Sequence, residues 1–152
     1  MAMILEDIPK ELIQNFQKGI GSYFVGAGLS IKAGYPSWSK LITELIEQSK
    51  KKAWIKEDRI KEFEELAKNG SKYLFLAEEL KIELGSEYQN YLEERFSSKA
   101  HEPTENHNYI VQASSNLIIT INYDDLLERA YNKIYGTYPN SFTYSEPRSV
   151  AN

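Results

Sequence analysis

Apolar positions along the chain fall into two short continuous runs set among longer stretches with a helical period. Leu5, Ile8, Leu12 and Phe16 recur at helical spacing, with Pro9 near the start and Gly19 near the end, and predict a first helix. Gly21 to Val25 is the first continuous run and predicts a strand. Trp38, Leu41, Ile42, Leu45 and Ile46 lie at i, i+3, i+4, i+7 and i+8, one face of a helix, with Ser37 as its N-cap beside Pro36. From Trp54 to Phe96 the pattern is helical throughout. Ile60, Phe63 and Ala67 form one face, with a stop at Asn69-Gly70. Leu74, Ala77, Leu80 and Leu84 form a second face ended by Gly85, and Ser86 with Gln89 has capping-box spacing ahead of Tyr88, Tyr91, Leu92 and Phe96.

A short helix marked by Ile110, Val111 and Ser114 begins near Pro103-Thr104. The second continuous run, Leu117-Ile118-Ile119-Thr120-Ile121, predicts a strand covered on both faces. The chain turns at Asn122 into a helix with Leu127, Tyr131 and Ile134 on its apolar face and Gly136 at its end. Ser141 to Ser145 reads as a last, weak strand. The predicted fold class is α/β: a Rossmann-like parallel sheet interrupted by a helical insertion at about 53–100, within one domain of 1–152 that is truncated at its C-terminal end. Two strands and a weak third fall short of the roughly 5–6 of an ordinary sheet, a count that agrees with truncation.

Both continuous runs end in residues that bear chemistry. The first stops abruptly at Gly26-Ala27-Gly28-Leu29-Ser30, the form of a buried strand turning sharply to show bare N–H groups to a phosphate. A tight strand-to-helix turn with no ligand is an equal reading of the same glycines. The hydride-carrier fingerprint fits poorly, because Ile31 stands where a third glycine belongs and an amphipathic helix replaces the second strand with its terminal acid. The second run stops at Thr120-Ile121-Asn122-Tyr123-Asp124, about ninety residues downstream. An amide at a strand exit can donate and accept at once, holding a ribose hydroxyl while orienting water. The bland reading is a residue tolerant of turn geometry, with Asp124 capping the next helix. Ligands of open α/β sheets bind outside the carboxyl ends of the strands, where both segments fall.

Composition narrows the classes. The 152 residues carry a net charge of −4, which argues against nucleic acid as a partner. There is no cysteine, hence no disulfide and no thiolate zinc site. The absence of a membrane-length apolar run or a basic leader predicts a cytoplasmic protein away from membranes. His101-Glu102-Pro103-Thr104-Glu105 is no zinc helix, since a proline interrupts it and a glutamate takes the second histidine's place; no metal is expected. His107 shares a helical face with Ile110, Val111 and Ser114 and reads as a packed histidine.

Taken in order, Gly26-Ala27-Gly28-Leu29-Ser30, then Gly34-Tyr35-Pro36-Ser37-Trp38 with Leu41, then Thr120-Ile121-Asn122-Tyr123-Asp124-Asp125-Leu126-Leu127-Glu128 resemble the SIR2-like domains, distant relatives of the sirtuins. The resemblance implies a Rossmann-like fold binding NAD, as substrate or ligand, with Gly26, Ala27, Gly28 and Ser30 on the phosphate side and Pro36 and Trp38 among the cofactor-binding residues. It implies that Asn122 assists attack on the nicotinamide ribose, with Asp124 beside it. Deacylating sirtuins carry Asp-Phe-Arg after the proline and a four-cysteine zinc module, whereas this chain has Ser37-Trp38-Ser39 and no cysteine. It therefore resembles the bacterial branch, whose members hydrolyse NAD and often deplete it as antiphage effectors. The family's catalytic histidine lies beyond the asparagine motif, and neither His101 nor His107 occupies a matching position. The expectation is the N-terminal part of an NAD-hydrolysing domain, completed by a missing C-terminal half or by a homo-oligomer. The alternative is a non-catalytic module that binds NAD or ADP-ribose, and a deacylase is a weaker third.

Overall fold

The structure, a computed structural model, describes residues 8–96, 101–113 and 115–142. Among them are eight α-helices and two strands: α1 (Lys10–Gln17), β1 (Gly21–Val25), α2 (Gly28–Ile31), α3 (Trp38–Lys51), α4 (Glu57–Leu66), α5 (Tyr73–Leu84), α6 (Ser86–Phe96), α7 (Glu105–Gln112), β2 (Ser115–Thr120) and α8 (Leu126–Tyr135). Leu5 of the first predicted helix, Ser114, and the part of the weak strand beyond Phe142 lie outside the described residues. No described helix is long and apolar enough to cross a membrane. The chain divides into two compact units, one drawn from Met1–Val25, Glu102–Thr120 and Asp125–Asn152, the other from Gly26–His101 and Ile121–Asp124.

The first unit holds the sheet. β1 and β2 pair in parallel, Ser22 opposite Leu117 through Val25 opposite Thr120, with an irregularity between Gly21 and Ser22. Phe16 of α1 lies against the start of β1: its ring centroid is 4.8 Å from that of Tyr23. A Cβ on Gly21 would come within 2.5 Å of the Phe16 ring, so only glycine lets the helix approach the strand this closely. α7 and α8 pack together, and His107, Val111, Leu126, Leu127 and Ala130 are buried. His107 is fully buried and completes a capping box with Thr104, whose backbone N–H donates to its Nδ1 at 3.2 Å. The expectation of a packed histidine at this position is met.

One expectation for the sheet changes. The run in β2 predicts cover on both faces, yet Phe24, Leu117 and Ile119 are 71, 52 and 46% exposed. Paired positions in the register share a face, so Phe24 and Ile119 form part of one open apolar surface. A β-branched run reports strand propensity whether or not its second face is covered.

The second unit is built on helices. Leu41, Ile42, Leu45 and Ile46 of α3 join Ile60 and Phe63 of α4, Leu76, Leu80 and Leu84 of α5, and Tyr88 and Leu92 of α6 in one core. Ser37 caps α3 as predicted, its Oγ accepting from the Lys40 N–H. The helical block of 53–100 thus shares its core with α3, and the compact unit begins at Gly26. Three details differ from the predicted pattern. Trp38 opens α3 but is 37% exposed rather than packed with the other apolar residues of its helix. Leu74 is 71% exposed while Leu76 is fully buried beside Ala77, Leu80 and Leu84, because apolar residues also stand on the outer side of α5 and spacing alone does not choose between the two leucines. Gln89 reaches forward to Glu93 rather than back to the start of α6, as a capping box requires.

Candidate functional site

β1 and β2 are parallel and end level, Val25 opposite Thr120, so both strands lead out of the sheet on the same side. The two segments that follow, Gly26–Ser30 and Ile121–Asp124, belong to one compact unit. Within it Asn122 is tied to the glycine turn. Its Nδ2 donates to Ser30 Oγ at 3.0 Å and to the Gly26 carbonyl at 3.3 Å, contacts that span 92 and 96 residues of sequence. Both amide hydrogens are engaged by the turn, which fixes the plane of the side chain and the direction of its oxygen. The two sequence motifs therefore form a single constellation.

The turn itself is short. Leu29 N–H donates to the Gly26 carbonyl, and Ser30 and Ile31 N–H both donate to the Ala27 carbonyl. The amides of Ala27 and Gly28 precede the first of these bonds, as first-turn amides do. Neither Gly26 nor Gly28 has a positive φ, and a Cβ on either would meet no atom within 4 Å. No backbone strain, and no close neighbour among the described residues, requires glycine at these positions. What the two glycines create is open space over bare backbone, the condition under which a phosphate can approach N–H groups closely.

Ser30 is 2% exposed and receives the Asn122 amide. Its hydroxyl holds the asparagine from inside the turn, whereas Ala27 and Gly28 are exposed. Pro36 is buried, Trp38 is exposed at the first residue of α3, and Asp124 is half-buried two residues beyond Asn122.

Behind the turn lies a cluster that periodicity does not reveal. Tyr35 donates its backbone N–H to the Ser30 carbonyl at 3.2 Å and its hydroxyl to the Phe96 carbonyl at 3.1 Å. Its ring is stacked on Phe96, and Phe96 in turn meets Tyr123, the neighbour of Asn122. His101 packs edge-on against Tyr35 with ring centroids 4.5 Å apart. Gly34 has φ +107°, and a Cβ there would lie 2.7 Å from the His101 ring. Unlike Gly26 and Gly28, Gly34 is glycine because its own neighbours demand it. The positions of Tyr35 and His101 relative to the turn depend on contacts between residues far apart in sequence, and the sole signal for them is the Gly34-Tyr35-Pro36 punctuation.

Burial raises the Tyr88 hydroxyl to about 12, with Tyr123 adding to the rise. Tyr91 is raised to about 12 by burial and then by the Glu44 carboxylate, which also receives Arg95 at 2.9 Å. Both phenols hold their protons at neutral pH. Among the described residues there is no cluster of three or more side chains suited to hold a metal ion.

No protein-family model matches the chain, and no curated protein is significantly similar to it.

Proposed function

We propose that this chain is the NAD-binding, N-terminal part of a Rossmann-like domain of the SIR2-like kind, and that the intact domain hydrolyses NAD to nicotinamide and ADP-ribose in the cytoplasm, as an antiphage effector. The observation that carries the reading is the bond between Asn122 and the glycine turn. Two motifs about ninety residues apart, read independently as a phosphate cradle and a ribose-facing amide, meet at hydrogen-bond distance. The open backbone at Gly26 and Gly28 fits a dinucleotide's pyrophosphate, with Ala27 exposed between them.

In the reaction the N-glycosidic bond breaks, nicotinamide leaves with the bonding pair, water adds at the anomeric carbon, and the proton released passes to solvent. The roles of this chain's residues are to bind and orient. The turn supplies backbone N–H groups to the phosphates. Ser30 holds Asn122 so that the amide oxygen has one direction, which is how an amide orients a water or a ribose hydroxyl. On this reading Trp38 and Asp124 are further contacts to the bound nucleotide.

A non-catalytic NAD or ADP-ribose module is favoured by one observation: both Asn122 amide hydrogens are engaged by the turn, so the side chain has no donor left for substrate in this arrangement. Calorimetric titration with NAD, run beside an assay for nicotinamide release, separates the readings. Saturable binding with turnover that is lost in Asn122→Ala supports the hydrolase. Binding without turnover supports the module, and no binding to the folded chain removes both.

A further inference from the structure

Tyr123 follows Asn122 in sequence and belongs with it to the compact unit that contains the glycine turn. A closed circuit of contacts fixes the two residues relative to each other. Asn122 Nδ2 donates to Ser30 Oγ at 3.0 Å, and the Ser30 carbonyl accepts the Tyr35 N–H at 3.2 Å. Tyr35 donates its hydroxyl to the Phe96 carbonyl at 3.1 Å and stacks on the Phe96 ring, with centroids 5.4 Å apart. The Phe96 ring meets that of Tyr123 at 5.3 Å, and the peptide bond from Tyr123 back to Asn122 closes the loop. Tyr35 is 3% exposed, so the circuit is anchored in the interior.

Tyr123 is the open member of this circuit. Its ring rests on Phe96, yet the residue is 57% exposed. The result is an aromatic surface held in place from behind, one residue from the amide. The face of a phenol ring is electron-rich, and a flat cation laid over it is attracted more strongly than a neutral ring of the same outline. With Asn122 facing the ribose next to the scissile bond, the ring attached to that ribose is nicotinamide. It carries a positive charge in NAD and none in NADH.

We propose that Tyr123 is a specificity residue that stacks on the nicotinamide ring and selects the oxidised, cationic dinucleotide. The inference rests on the NAD reading of the site and adds to it the part of the ligand that this ring touches. Only the cationic ring can depart as neutral nicotinamide, so the preference also keeps a dinucleotide that cannot be cleaved out of the site. Asp124, the next residue, is half-buried and adds negative charge of its own, so the contribution of the ring has to be isolated by substitution.

The test is calorimetric titration of the full chain with three ligands. The carbocyclic analogue of NAD keeps the charged ring but resists cleavage, NADH has the neutral ring, and ADP-ribose has no nicotinamide. The expected result is that the cationic analogue binds about fivefold more tightly than NADH. Tyr123→Leu retains an apolar side chain without a π face. It should bring those two affinities together and leave ADP-ribose unchanged, whereas Tyr123→Phe should keep the preference. The comparison of ligands on the unaltered chain does not depend on either variant folding. Equal affinity of that chain for the analogue and NADH, an undiminished preference in Tyr123→Leu, or ADP-ribose weakened as much as the analogue would each overturn the role of Tyr123 while NAD binding stands. No binding of any of the three would overturn both.

Discussion

Asn122 Nδ2 lies 3.0 Å from Ser30 Oγ, joining the exit of one strand to the turn after the other. Ser30 is 2% exposed, so this contact is shielded from competing water. It makes the turn and the asparagine mechanically one object, and its loss should register in folding as well as in ligand binding.

Asn122→Ala removes the donor to two acceptors, Ser30 Oγ and the Gly26 carbonyl. Unfolding in urea should show a loss of about 1–3 kcal/mol, the cost of leaving shielded polar groups without partners. Ser30→Ala deletes one acceptor and should cost about 1 kcal/mol. If Asn122→Ala costs less than about 0.5 kcal/mol, the amide does not hold the turn.

Gly34→Ala should be much worse than its exposed position implies. The residue sits at φ +107°, and the added Cβ would approach His101 Cε1 and Nδ1 to 2.7 Å. The two effects together predict a destabilisation of about 2–3 kcal/mol. Adding His101→Ala should return the steric part and leave the backbone strain, so the double variant should be more stable than the two separate losses sum to. Strict additivity would show that His101 does not press on Gly34.

Alkaline pH should destabilise the helical unit. Tyr88 and Tyr91 are each raised from the ordinary phenol value of 10.0 to about 12, chiefly by burial. Between these two limits the unfolded chain has lost protons that the folded one keeps, so stability is complete below pH 10 and falls as pH rises towards 12. For Tyr88, which is 9% exposed, the loss across this window is roughly 2 kcal/mol. Tyr88→Phe should flatten the alkaline limb of a stability–pH profile, whereas an unchanged slope would place the titrating group elsewhere.

Much of the local structure is legible in the residues. The spacing of Leu41, Ile42, Leu45 and Ile46 marks α3 and its buried side, Ser37 marks its start, and Gly136, at φ +74°, marks the end of α8. Each depends on near neighbours in sequence, which is the information that periodicity and capping carry. The face of α5 is legible in part: Ala77, Leu80 and Leu84 are buried as their spacing predicts, but Leu74, Phe75 and Ile82 stand exposed among Glu78, Lys81 and Glu83, so the pattern does not tell Leu74 from Leu76. The difference among the glycines is not legible. Gly21 is dictated by Phe16, Gly34 by His101, and Gly28 by nothing among the described residues, distinctions that require knowing what approaches from elsewhere in the chain. For the site, the sequence names Gly26, Gly28, Ser30 and Asn122 but cannot say that Ser30 turns inward to grip Asn122. It also names Tyr35 and Phe96 on separate segments without saying that the two rings stack.

The open space at Gly28 allows the central claim to be tested without disturbing the fold. A Cβ there meets no atom within 4 Å, and the residue opens α2 with an ordinary backbone conformation, so Gly28→Ala should leave the urea midpoint unchanged or slightly raised. The same methyl group would occupy the approach of a phosphate to the turn's N–H groups. Calorimetric titration with NAD should give saturable binding to the natural chain and at least about tenfold weaker binding to Gly28→Ala, a difference of about 1.4 kcal/mol. Equal affinity of the two proteins for NAD, or no binding by the natural chain, would contradict the assignment of this turn as a dinucleotide cradle.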